Sequence, residues 1–436
     1  MATPNHSSIL IIGGGTWGCS IAYRLAKRGF MDIKVLDANE FPSKESAGND
    51  VNKIMEEPEA PPSDKDSDED FAWATIEGLA TEVWKTDPTY QPYYHPTGFI
   101  YAAVGKDAFK MVEQATKEHP ANWNPLRNAE DFKATMPNGP LTGEMTGWKG
   151  FLRNERAGFV EAERAMEATR HEATQLGVKF VSGDSGKILS LVFNKDRANV
   201  IGAQASDGTN HTADQIILSA GAGSDGLLDF KKQLRPTAWT LAHIPLTEDE
   251  VARYRGIPVL YGSDRGFFIP SLSSNELKVC DEHPGYVHMV KDTEGIERSV
   301  PFSKQQIPLE SERRIRDFLT ETSPHLARRP FTCARVCWDA DTPDRLFLID
   351  RHPEFKSLIL AVGGSGHGFM CSPAVGILVA DLLQEKMETR IKGILGWRPH
   401  TAEGRNWWDT QGRFGVEGKV MDFGDVSGWT DIQANK

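Results

Sequence analysis

The chain lacks an apolar run long enough to cross a membrane, and it lacks a basic cluster interleaved with aromatic residues. Its 436 residues carry 49 lysines and arginines against 61 aspartates and glutamates, which gives a formal net charge of −12. A membrane-spanning helix takes about 20 consecutive apolar residues, and nucleic-acid binding takes a basic surface. The sequence therefore predicts neither a membrane protein nor a protein that binds nucleic acid.

Cysteine is also scarce. The five cysteines, at positions 19, 280, 333, 337 and 371, are odd in number and scattered, which is not typical of a disulfide framework. Cys333 and Cys337 lack the second cysteine or histidine pair that a zinc site needs. No metal site is therefore predicted.

Targeting signals are absent from both ends of the sequence. The N-terminus leads into a strand pattern without the basic region and apolar core of a signal peptide. Residues 433–436 differ from the Ser-Lys-Leu type of peroxisomal signal. These absences predict a cytoplasmic protein.

A glycine turn near the start is the most informative feature that is present. Four apolar residues at 9–12 run into Gly13-x-Gly15-x-x-Gly18, and a helical pattern follows over residues 19–27. Gly13 allows a tight turn, Gly15 lets the backbone approach phosphates, and Gly18 lets the helix pack against the strand. The segment predicts a βαβ unit that holds the pyrophosphate of a dinucleotide at a helix N-terminus.

An acidic residue ends the second strand of this unit. The strand predicted over residues 33–37 finishes at Asp37, nineteen residues after Gly18. A carboxylate at this place accepts hydrogen bonds from ribose hydroxyls and disfavours a 2′-phosphate. The predicted ligand is therefore FAD or NAD rather than NADP.

Two later segments repeat the combination of an apolar strand and a small-residue turn. Residues 213–223 form a strand that opens into Ala220 and Gly221, before a helix predicted over residues 224–228. A strand at 358–362 is followed by Gly-Gly-Ser-Gly-His-Gly at 363–368. We expect these strand ends to gather with the first glycine turn around one ligand, because the carboxyl ends of parallel strands share an edge.

The pattern changes between about residues 235 and 329 to short alternating strands joined by turns, which is typical of a mixed or antiparallel sheet. The length also exceeds what one core usually serves. We expect an α/β protein of two interleaved domains. The Rossmann-type nucleotide domain takes residues 1–85, 150–235 and 335–390, and the substrate domain takes residues 86–149, 236–334 and 391–436.

Residues 56–70 are rich in Glu, Asp and Pro, with Lys65 as their only basic residue. This composition predicts a solvated, mobile surface loop. A lid over a substrate mouth is the alternative that the composition leaves open.

Several segments together resemble the fructosyl amino acid oxidases, or amadoriases, which are fungal relatives of monomeric sarcosine oxidase. The resemblance runs essentially end to end, and it is strongest to the fungal amadoriase I type. It implies a two-domain FAD-dependent oxidoreductase with a mixed or antiparallel sheet in the substrate domain. The segments that carry it are residues 46–53 (Ser-Ala-Gly-Asn-Asp-Val-Asn-Lys), 147–150 (Gly-Trp-Lys-Gly), 233–240 (Gln-Leu-Arg-Pro-Thr-Ala-Trp-Thr), 278–285 (Lys-Val-Cys-Asp-Glu-His-Pro-Gly), 337–344 (Cys-Trp-Asp-Ala-Asp-Thr-Pro-Asp), 363–368 and 413–415 (Arg-Phe-Gly).

The resemblance assigns Cys337 a covalent role. In the family, the cysteine of this block is bonded through sulfur to the 8α-methyl group of FAD. A thiolate is a good nucleophile, and the oxidised ring makes that methyl group electrophilic. Without the resemblance, the residue would be interpreted as an ordinary buried cysteine.

Two further residues take roles in catalysis by resemblance. Lys278 corresponds to a lysine that lies near flavin N5, through water, and promotes the reaction of reduced flavin with oxygen, since a fixed positive charge stabilises the charge that develops on oxygen. Glu282 follows four residues later, on the same face of the strand, and corresponds to the acid that binds the substrate near its amine and sugar hydroxyls.

The remaining substrate contacts are carried over in the same way. Arg413 is expected to pair with the substrate carboxylate, which an arginine fork matches bidentately. Trp239 is expected to supply an aromatic wall. Asp50 and Lys53 lie in the loop that the resemblance brings to the flavin edge. The full set of expected cofactor-binding residues is Gly13, Gly15, Thr16, Trp17, Gly18, Asp37, Ser46, Val181, Ala220, Gly221, Cys337, Asp339, Gly364, Gly366 and Met370.

One position departs from the family pattern. Sarcosine oxidases and many amadoriases continue the last glycine block with Gly-Phe-Lys, and that lysine helps to hold the substrate carboxylate. This chain has Met370 there, and a methionine cannot pair with an anion. The hypothesis is that the chain tolerates bulkier or less anionic amines, such as fructosyl-ε-lysine or a fructosyl alkylamine.

The resemblance implies oxidation of an Amadori product, a ketoamine in which fructose carries an amino acid through nitrogen. Oxygen is the acceptor, the products are the free amine, glucosone and hydrogen peroxide, and the protein is monomeric. Three alternatives stay open: a secondary-amine oxidase of the same fold acting on sarcosine, pipecolate or an alkaloid precursor, an NAD-dependent dehydrogenase, and a flavin-binding protein without catalysis.

Overall fold

A computed structural model describes residues 2–270, 272, 274–282, 285–291, 295–408 and 419–432. The α-helices of this part of the chain are, in order, α1 (Thr16–Lys27), α2 (Asp68–Thr86), α3 (Lys106–Lys117), α4 (Ala129–Thr135), α5 (Ala162–Gln175), α6 (Glu248–Tyr254), α7 (Leu309–Thr322), α8 (Ser372–Leu383) and α9 (Thr389–Ile394).

The β-strands of the described residues fall into five sheets, of ten, six, three, three and two strands. In chain order they are β1 (Ser8–Ile12), β2 (Asp32–Leu36), β3 (Lys53–Glu56), β4 (Tyr94–His95), β5 (Phe99–Ala103), β6 (Asn124–Leu126), β7 (Lys149–Arg153), β8 (Ala157–Val160), β9 (Lys179–Val181), β10 (Ile188–Phe193), β11 (Val200–Ala205), β12 (Asn210–Thr212), β13 (Gln215–Leu218), β14 (Arg235–Pro245), β15 (Val259–Gly262), β16 (Gly266–Pro270), β17 (Glu276–Asp281), β18 (Tyr286–Val287), β19 (Met289–Lys291), β20 (Glu297–Ser299), β21 (Cys333–Asp341), β22 (Leu348–Arg351), β23 (Leu358–Val362) and β24 (Met421–Asp422).

The first large sheet has six strands in the order β22-β23-β13-β1-β2-β9. Every neighbouring pair is parallel except β22 and β23. Strand β1 is apolar on both faces because both faces are covered, as in other parallel sheets. Ile9 and Ile11 pack into a core with α1, α2 and α8, whereas Leu10 and Ile12 pack into a second core with β10 and β11. This confirms the predicted βαβ unit and the Rossmann-type sheet.

The second large sheet has ten strands. Its main path runs β24-β18-β14-β17-β16-β15-β5-β7-β6, and β21 pairs with β14. Most neighbours are antiparallel, but β15 with β5 and β18 with β24 are parallel, so the predicted mixed sheet is confirmed. One face carries Ala242, Phe268, Val279 and Ala334, which pack against Phe318 of α7 in a continuous apolar core. The opposite face carries the polar side chains described below.

The domain boundaries predicted from the sequence differ from these sheet memberships. Strand β7 and strand β21 lie in the ten-stranded sheet, although residues 150–235 and 335–390 were assigned to the nucleotide domain. Ile391 and Leu395 pack into the core around α1 and α8, although residues 391–436 were assigned to the substrate domain. Changes in local pattern mark the predicted boundaries, whereas pairing between strands that are distant in the chain decides which sheet a strand joins.

Two local predictions also change. The helix expected over residues 224–228 is a 3₁₀ turn at Gly221–Gly226, because its three glycines disfavour an α-helix. The acidic segment 56–70 is partly regular: Glu56 ends β3, and Ser67 caps α2 by accepting a hydrogen bond from the Asp70 amide. Its acids Asp68 and Asp70 stand in the first turn of α2, where the helix dipole favours negative charge.

Within the described residues, none of the helices has the length and apolar character that a membrane crossing requires.

Candidate functional site

The carboxyl ends of β1 and β13 meet at the first glycine turn. Gly13 has a φ of +101°, and a Cβ atom there would lie 2.5 Å from Cα of Ala220. A Cβ on Gly18 would lie 1.8 Å from the carbonyl oxygen of Gly13. Both positions therefore require glycine, for the turn and for the contact of α1 with the strand. Gly221, next to Ala220, has a φ of +53°, so the second turn has a similar backbone constraint.

The N-terminus of α1 is open toward this edge. Gly15 is its N-cap and supplies no side-chain acceptor, and the first turn contains no acidic residue. The free N–H groups and the helix dipole thus suit a bound anion. The segment that contains Ser46 and Gly48 packs against this helix end. A Cβ atom on Gly15 would lie 3.0 Å from Ser46 Oγ, and a Cβ atom on Gly48 would lie 1.9 Å from Thr16 Oγ1.

Asp37 follows β2 at the same edge. Its Oδ2 accepts a hydrogen bond from the Gly14 amide at 2.9 Å, and its own amide donates to the carbonyl of Val181 at 3.1 Å. Burial raises the pKa of Asp37 above its ordinary value, against the effect of the two backbone amides that its carboxylate accepts from. The residues present fit the adenosine and pyrophosphate of a dinucleotide: a half-buried carboxylate, a helix end without a side-chain cap and glycines without room for a side chain.

The third glycine segment, residues 363–368, is held against the first turn of α1 by a hydrogen bond. Trp17 Nε1 donates to the carbonyl of Gly368 at 2.7 Å. The carboxylate of Asp339 accepts from the amide of Gly366, and a Cβ on Gly364 would lie 2.9 Å from Asp339 Oδ1. The end of β21 is thereby fixed against the residues that lead into α8.

One face of the ten-stranded sheet carries the predicted substrate-side residues. Trp239 stands opposite Cys337 in the register of β14 and β21, and His243 stands opposite Lys278 in the register of β14 and β17. Because side chains alternate along a strand, Trp239, His243, Lys278 and Cys337 lie on the same face, and this is the face opposite the apolar core.

A buried ion cluster joins this face to the loop that follows β2. Asp50 Oδ2 lies 2.6 Å from Lys278 Nζ and 2.5 Å from Lys53 Nζ, and Lys278 Nζ also donates to the carbonyl of Asn52 at 2.8 Å. The side chains of Asp50 and Lys278 are 1% and 2% exposed. We call Asp50, Lys53, Lys278 and His243 the Asp50 cluster; His243 Nε2 lies 3.4 Å from Asp50 Oδ1, an ion-pair contact.

The charges of the Asp50 cluster support one another. Burial raises the pKa of Asp50, but Lys278, Lys53 and His243 outweigh it and hold that pKa well below its usual value. Burial lowers the pKa of Lys278, but Asp50 outweighs it, so the pKa of Lys278 is raised. Burial lowers the pKa of Lys53, and Asp50 only partly offsets this. Lys278 is therefore a fixed cation on the face of the sheet.

Cys337 stands within the electrostatic reach of three cations, Lys53, Lys278 and Arg335. Its side chain is half-buried, and its sulfur lies 3.8 Å from the carbonyl of Ala47. Burial raises the pKa of Cys19 to about 12 and also raises those of Cys280, Cys333 and Cys371, which disfavours the reactive thiolate form of these four cysteines.

Glu282 lies just after β17, buried to 9% exposure, and it hydrogen-bonds to Tyr261. Burial raises the pKa of Tyr261 well above its usual value, and the Glu282 charge raises it further. Tyr261 stands opposite Phe267 and beside Tyr101 in the register of the sheet. The acid is thus at the border of an aromatic surface.

One expected site residue, Met370, does not join this face. Met370 is 9% exposed within the core around α1 and α8, and its carbonyl accepts a hydrogen bond from Trp84 Nε1 at 2.7 Å. Arg413 lies outside the described residues. Among the residues described, no group of histidine, cysteine and acidic side chains has the arrangement of a metal site.

The structure adds residues that sequence reasoning missed: His243, Glu276, Arg335 and Tyr261. Arg335 Nη1 and Nη2 donate to the carbonyls of Lys44 and Asn49 at 3.0 and 2.7 Å, and so fix the loop that contains Asp50. A period of two along β21, counted from Cys337, is the signal that marks Arg335; His243, Glu276 and Tyr261 join the site through the pairing of strands.

Comparisons with known proteins define the class. The family model described as "FAD dependent oxidoreductase" matches residues 8–382, and the chain belongs to that family. The structure of amadoriase I from Aspergillus fumigatus is similar, with 50% identity, 99% of each chain covered and a TM-score of 0.94. Amadoriase II from the same organism gives 44% identity, 99% coverage of both chains and a TM-score of 0.94.

One curated relative has a lower sequence identity to this chain. L-saccharopine oxidase of Schizosaccharomyces pombe is 29% identical over 416 residues, which are 90% of this chain and 93% of that protein. The solved structures therefore confirm the predicted fold class and the resemblance to the amadoriases.

Proposed function

We propose that the protein oxidises fructosyl amines with O2 to the free amine, glucosone and hydrogen peroxide. One observation carries this proposal. A buried cation, Lys278 of β17, and a buried acid, Glu282, which directly follows β17, lie in the sheet that also carries Cys337 on β21, in a chain half-identical to amadoriase I. Burial of an ion pair such as Lys278 and Asp50 costs desolvation energy. Such a pair at the candidate site therefore favours a catalytic role over binding alone.

FAD is the cofactor that the residues fit. Gly13, Gly15 and Gly18 would admit the pyrophosphate, and Asp37 would bind the ribose. When bound, FAD supplies a two-electron acceptor for the substrate and a two-electron donor for O2. We further propose that the Cys337 sulfur holds the cofactor covalently, since its half-buried side chain stands opposite Trp239 on the face of the sheet that also carries Lys278.

Lys278 acts as a fixed positive charge. Its ammonium is held by Asp50 and by the carbonyl of Asn52, so its position needs no reorganisation as negative charge develops on oxygen. Preorganised charges of this kind stabilise the transition state most effectively in a site that excludes water. Lys53 adds a second cation, which contacts the same Asp50 oxygen, Oδ2, as Lys278 does.

Glu282 and its neighbours bind the substrate. The acid accepts hydrogen bonds from an amine or from sugar hydroxyls, while Tyr261 orients its carboxylate. Trp239 supplies an apolar wall opposite Cys337. Arg413 remains the proposed partner of the substrate carboxylate, and the chain is proposed to act as a monomer; the cytoplasmic location stays a prediction.

Peroxide release tests the proposal. The purified holoenzyme is assayed with fructosyl-valine, fructosyl-ε-lysine, sarcosine, pipecolate and saccharopine. We expect peroxide from the fructosyl amines and a loss of about 100-fold in kcat/KM in Glu282→Gln, with Glu297→Gln, an exposed acid on β20, as the control. Activity on N-methyl amines without activity on the fructosyl amines would assign the protein to the secondary-amine oxidases instead.

A further inference from the structure

A row of charged side chains leads from Lys278 toward the protein surface. It runs from Lys278 Nζ to Asp50 Oδ2 (2.6 Å), from Asp50 Oδ1 to His243 Nε2 (3.4 Å), and from His243 Nδ1 to Glu276 Oε2 (3.3 Å). Side-chain exposure rises along the row from 2% at Lys278 and 1% at Asp50 to 10% at His243 and 23% at Glu276. The row therefore connects a buried ammonium with a carboxylate that meets solvent.

Strand register fixes the order of this row. His243 of β14 lies between its partners Lys278 of β17 and Cys333 of β21. Glu276 lies two residues before Lys278 on β17, hence on the same face. The charged and titratable groups that face His243 are thus Asp50 from the loop, Glu276 and Lys278 from β17, and Cys333 from β21.

Glu276 is held in place on the outer side. Its Oε1 accepts from Thr332 Oγ1 at 2.6 Å, and its Oε2 accepts from Ser274 Oγ at 3.2 Å. The contact with His243, whose Nδ1 lies 3.3 Å from Oε2, is the largest of the effects that lower the pKa of Glu276 to about 2. Burial lowers the pKa of His243, but its two carboxylate partners outweigh burial and raise it.

A histidine between two carboxylates can accept a proton at one ring nitrogen and release one from the other. We propose that His243 and Glu276 form the outer half of a proton route, which exchanges protons between solvent and the Lys278–Asp50 pair during turnover. His243 is then a positioning and relay residue rather than a group that touches substrate. This inference rests on the proposed oxidase function.

The proton balance of the two half-reactions explains why such a route is needed. Formation of an imine from the amine releases two electrons and two protons, and reduction of O2 to hydrogen peroxide takes up two electrons and two protons. The protons and electrons released equal those taken up, but amine oxidation and O2 reduction occur at different times. A proton must therefore be supplied when oxygen reacts. Lys278 Nζ gives one proton to the oxygen. His243 Nε2 then gives one to the Asp50 carboxylate, and Asp50, protonated only in transit, passes that proton to Lys278.

The outer half completes the cycle. Glu276 takes up one proton from solvent and passes it to His243 Nδ1, so both carboxylates end ionised as they began. Once the His243 ring returns to its first tautomer, one solvent proton has replaced the proton given to oxygen, and no oxidant or reductant beyond O2 and the amine is needed.

A titration measures the linkage without any turnover. The ring signals of His243 are assigned by NMR on selectively labelled holoenzyme with the His243→Gln variant as reference. We expect the pKa of His243 to fall in both Asp50→Asn and Glu276→Gln. An unchanged pKa in both variants would show that the row is not electrostatically connected and would overturn the proposal.

Rapid mixing measures the route itself. The holoenzyme is reduced with dithionite and mixed with oxygenated buffer between pH 6 and 9, so the test does not depend on the amine substrate. A failure of the proposed function appears separately, as the absence of bleaching by fructosyl amines. We expect His243→Gln and Glu276→Gln to react with oxygen about ten-fold more slowly than the wild type, and the wild-type rate to follow the pKa of His243 measured by NMR.

The matched control is His211→Gln. His211 is a buried histidine on β12, whose Nε2 lies 2.8 Å from the carbonyl of Ser185, and its variant should reoxidise at the wild-type rate. Wild-type rates in both His243→Gln and Glu276→Gln at every pH would refute the route. Slow reaction in His243→Gln together with the wild-type rate in Glu276→Gln would refute Glu276 as its entry.

Discussion

The carboxylate of Asp50 lies 2.6 Å from the ammonium of Lys278, and this buried contact joins a loop of the nucleotide-binding part to a central strand of the ten-stranded sheet. Neither residue is isolated, because Lys53 and His243 share the same carboxylate. Removing one partner of a buried pair usually leaves a costly uncompensated charge. In the Asp50 cluster the remaining charges still neutralise one another when one group is removed. We therefore expect variants with a single substitution in the cluster to fold, so that their activity can be measured.

Lys278→Met removes the buried cation while Lys53 and His243 still neutralise Asp50. We expect the reaction of the reduced holoenzyme with O2 to slow by about 100-fold or more, because the charge that develops on oxygen loses its fixed partner. Stopped-flow absorbance after chemical reduction gives the rate. Lys149→Met, at an exposed lysine on β7 of the same sheet, is the control. A rate within two-fold of the wild type, on the order of experimental error in ΔΔG‡, would contradict the role of Lys278.

Cys337→Ser tests the covalent attachment. Acid precipitation of the wild type should leave the yellow colour in the pellet, whereas the variant should release its flavin into the supernatant. Cys333→Ser is the matched control, because Cys333 lies four residues from Cys337 on the same strand and the same face. Flavin that stays in the Cys337→Ser pellet, or that leaves the Cys333→Ser pellet, would move the attachment away from Cys337.

Met370→Lys tests the basis of amine preference. We expect the variant to raise the ratio of kcat/KM for fructosyl-valine over fructosyl-ε-lysine, because a lysine can pair with a nearby carboxylate and a methionine cannot. Steady-state kinetics with both substrates gives the ratio. Met387→Lys is the control, as Met387 is equally buried in the same core, each being 9% exposed. A ratio that stays constant in Met370→Lys would eliminate this explanation.

Glu250 and Arg329 give a prediction for stability against pH. Arg329 Nη1 and Nη2 donate to the two carboxylate oxygens of Glu250 at 2.6 and 2.8 Å, and this pairing is the largest cause that lowers the pKa of Glu250 to about 2. Because the folded-state pKa lies below the unfolded value, the stabilisation is present above pH 4.5 and is lost as the pH falls toward 2. Glu250→Gln should cost about 2–3 kcal/mol at pH 7.

Urea unfolding measures this difference. It should shrink below about pH 4.5, where the wild-type carboxylate of the unfolded chain becomes protonated. Glu248→Gln, at an exposed position of the same short helix, should cost less than about 0.5 kcal/mol. A Glu250→Gln effect that is small at pH 7, or that grows on acidification, would contradict the assigned pairing.

The nucleotide edge could be predicted from the sequence because its signals are local. Gly13, Gly18 and Asp37 lie within one βαβ unit, and each is fixed by steric or hydrogen-bond demands of that unit. The boundaries of the two sheets were less predictable. Strands β7 and β21 join the ten-stranded sheet through partners distant in the chain, and local periodicity contains no information on the partner.

The substrate side shows the same limit. The resemblance singled out Asp50, Lys53 and Lys278 individually, but the shared carboxylate that joins them results from the docking of a loop on a strand. His243 and Glu276 have no local signal, because a lone histidine or acid on a strand is usually a surface residue. Only the register of β14 with β17 brings them into the row.

Anaerobic addition of fructosyl-valine and of fructosyl-ε-lysine to the yellow holoenzyme tests the central claim most directly. The account predicts that the flavin absorbance bleaches with at least one of these fructosyl amines and returns when oxygen is admitted, with hydrogen peroxide formed in equal amount. A flavin that neither compound bleaches, but that sarcosine, pipecolate or another secondary amine does, would contradict it.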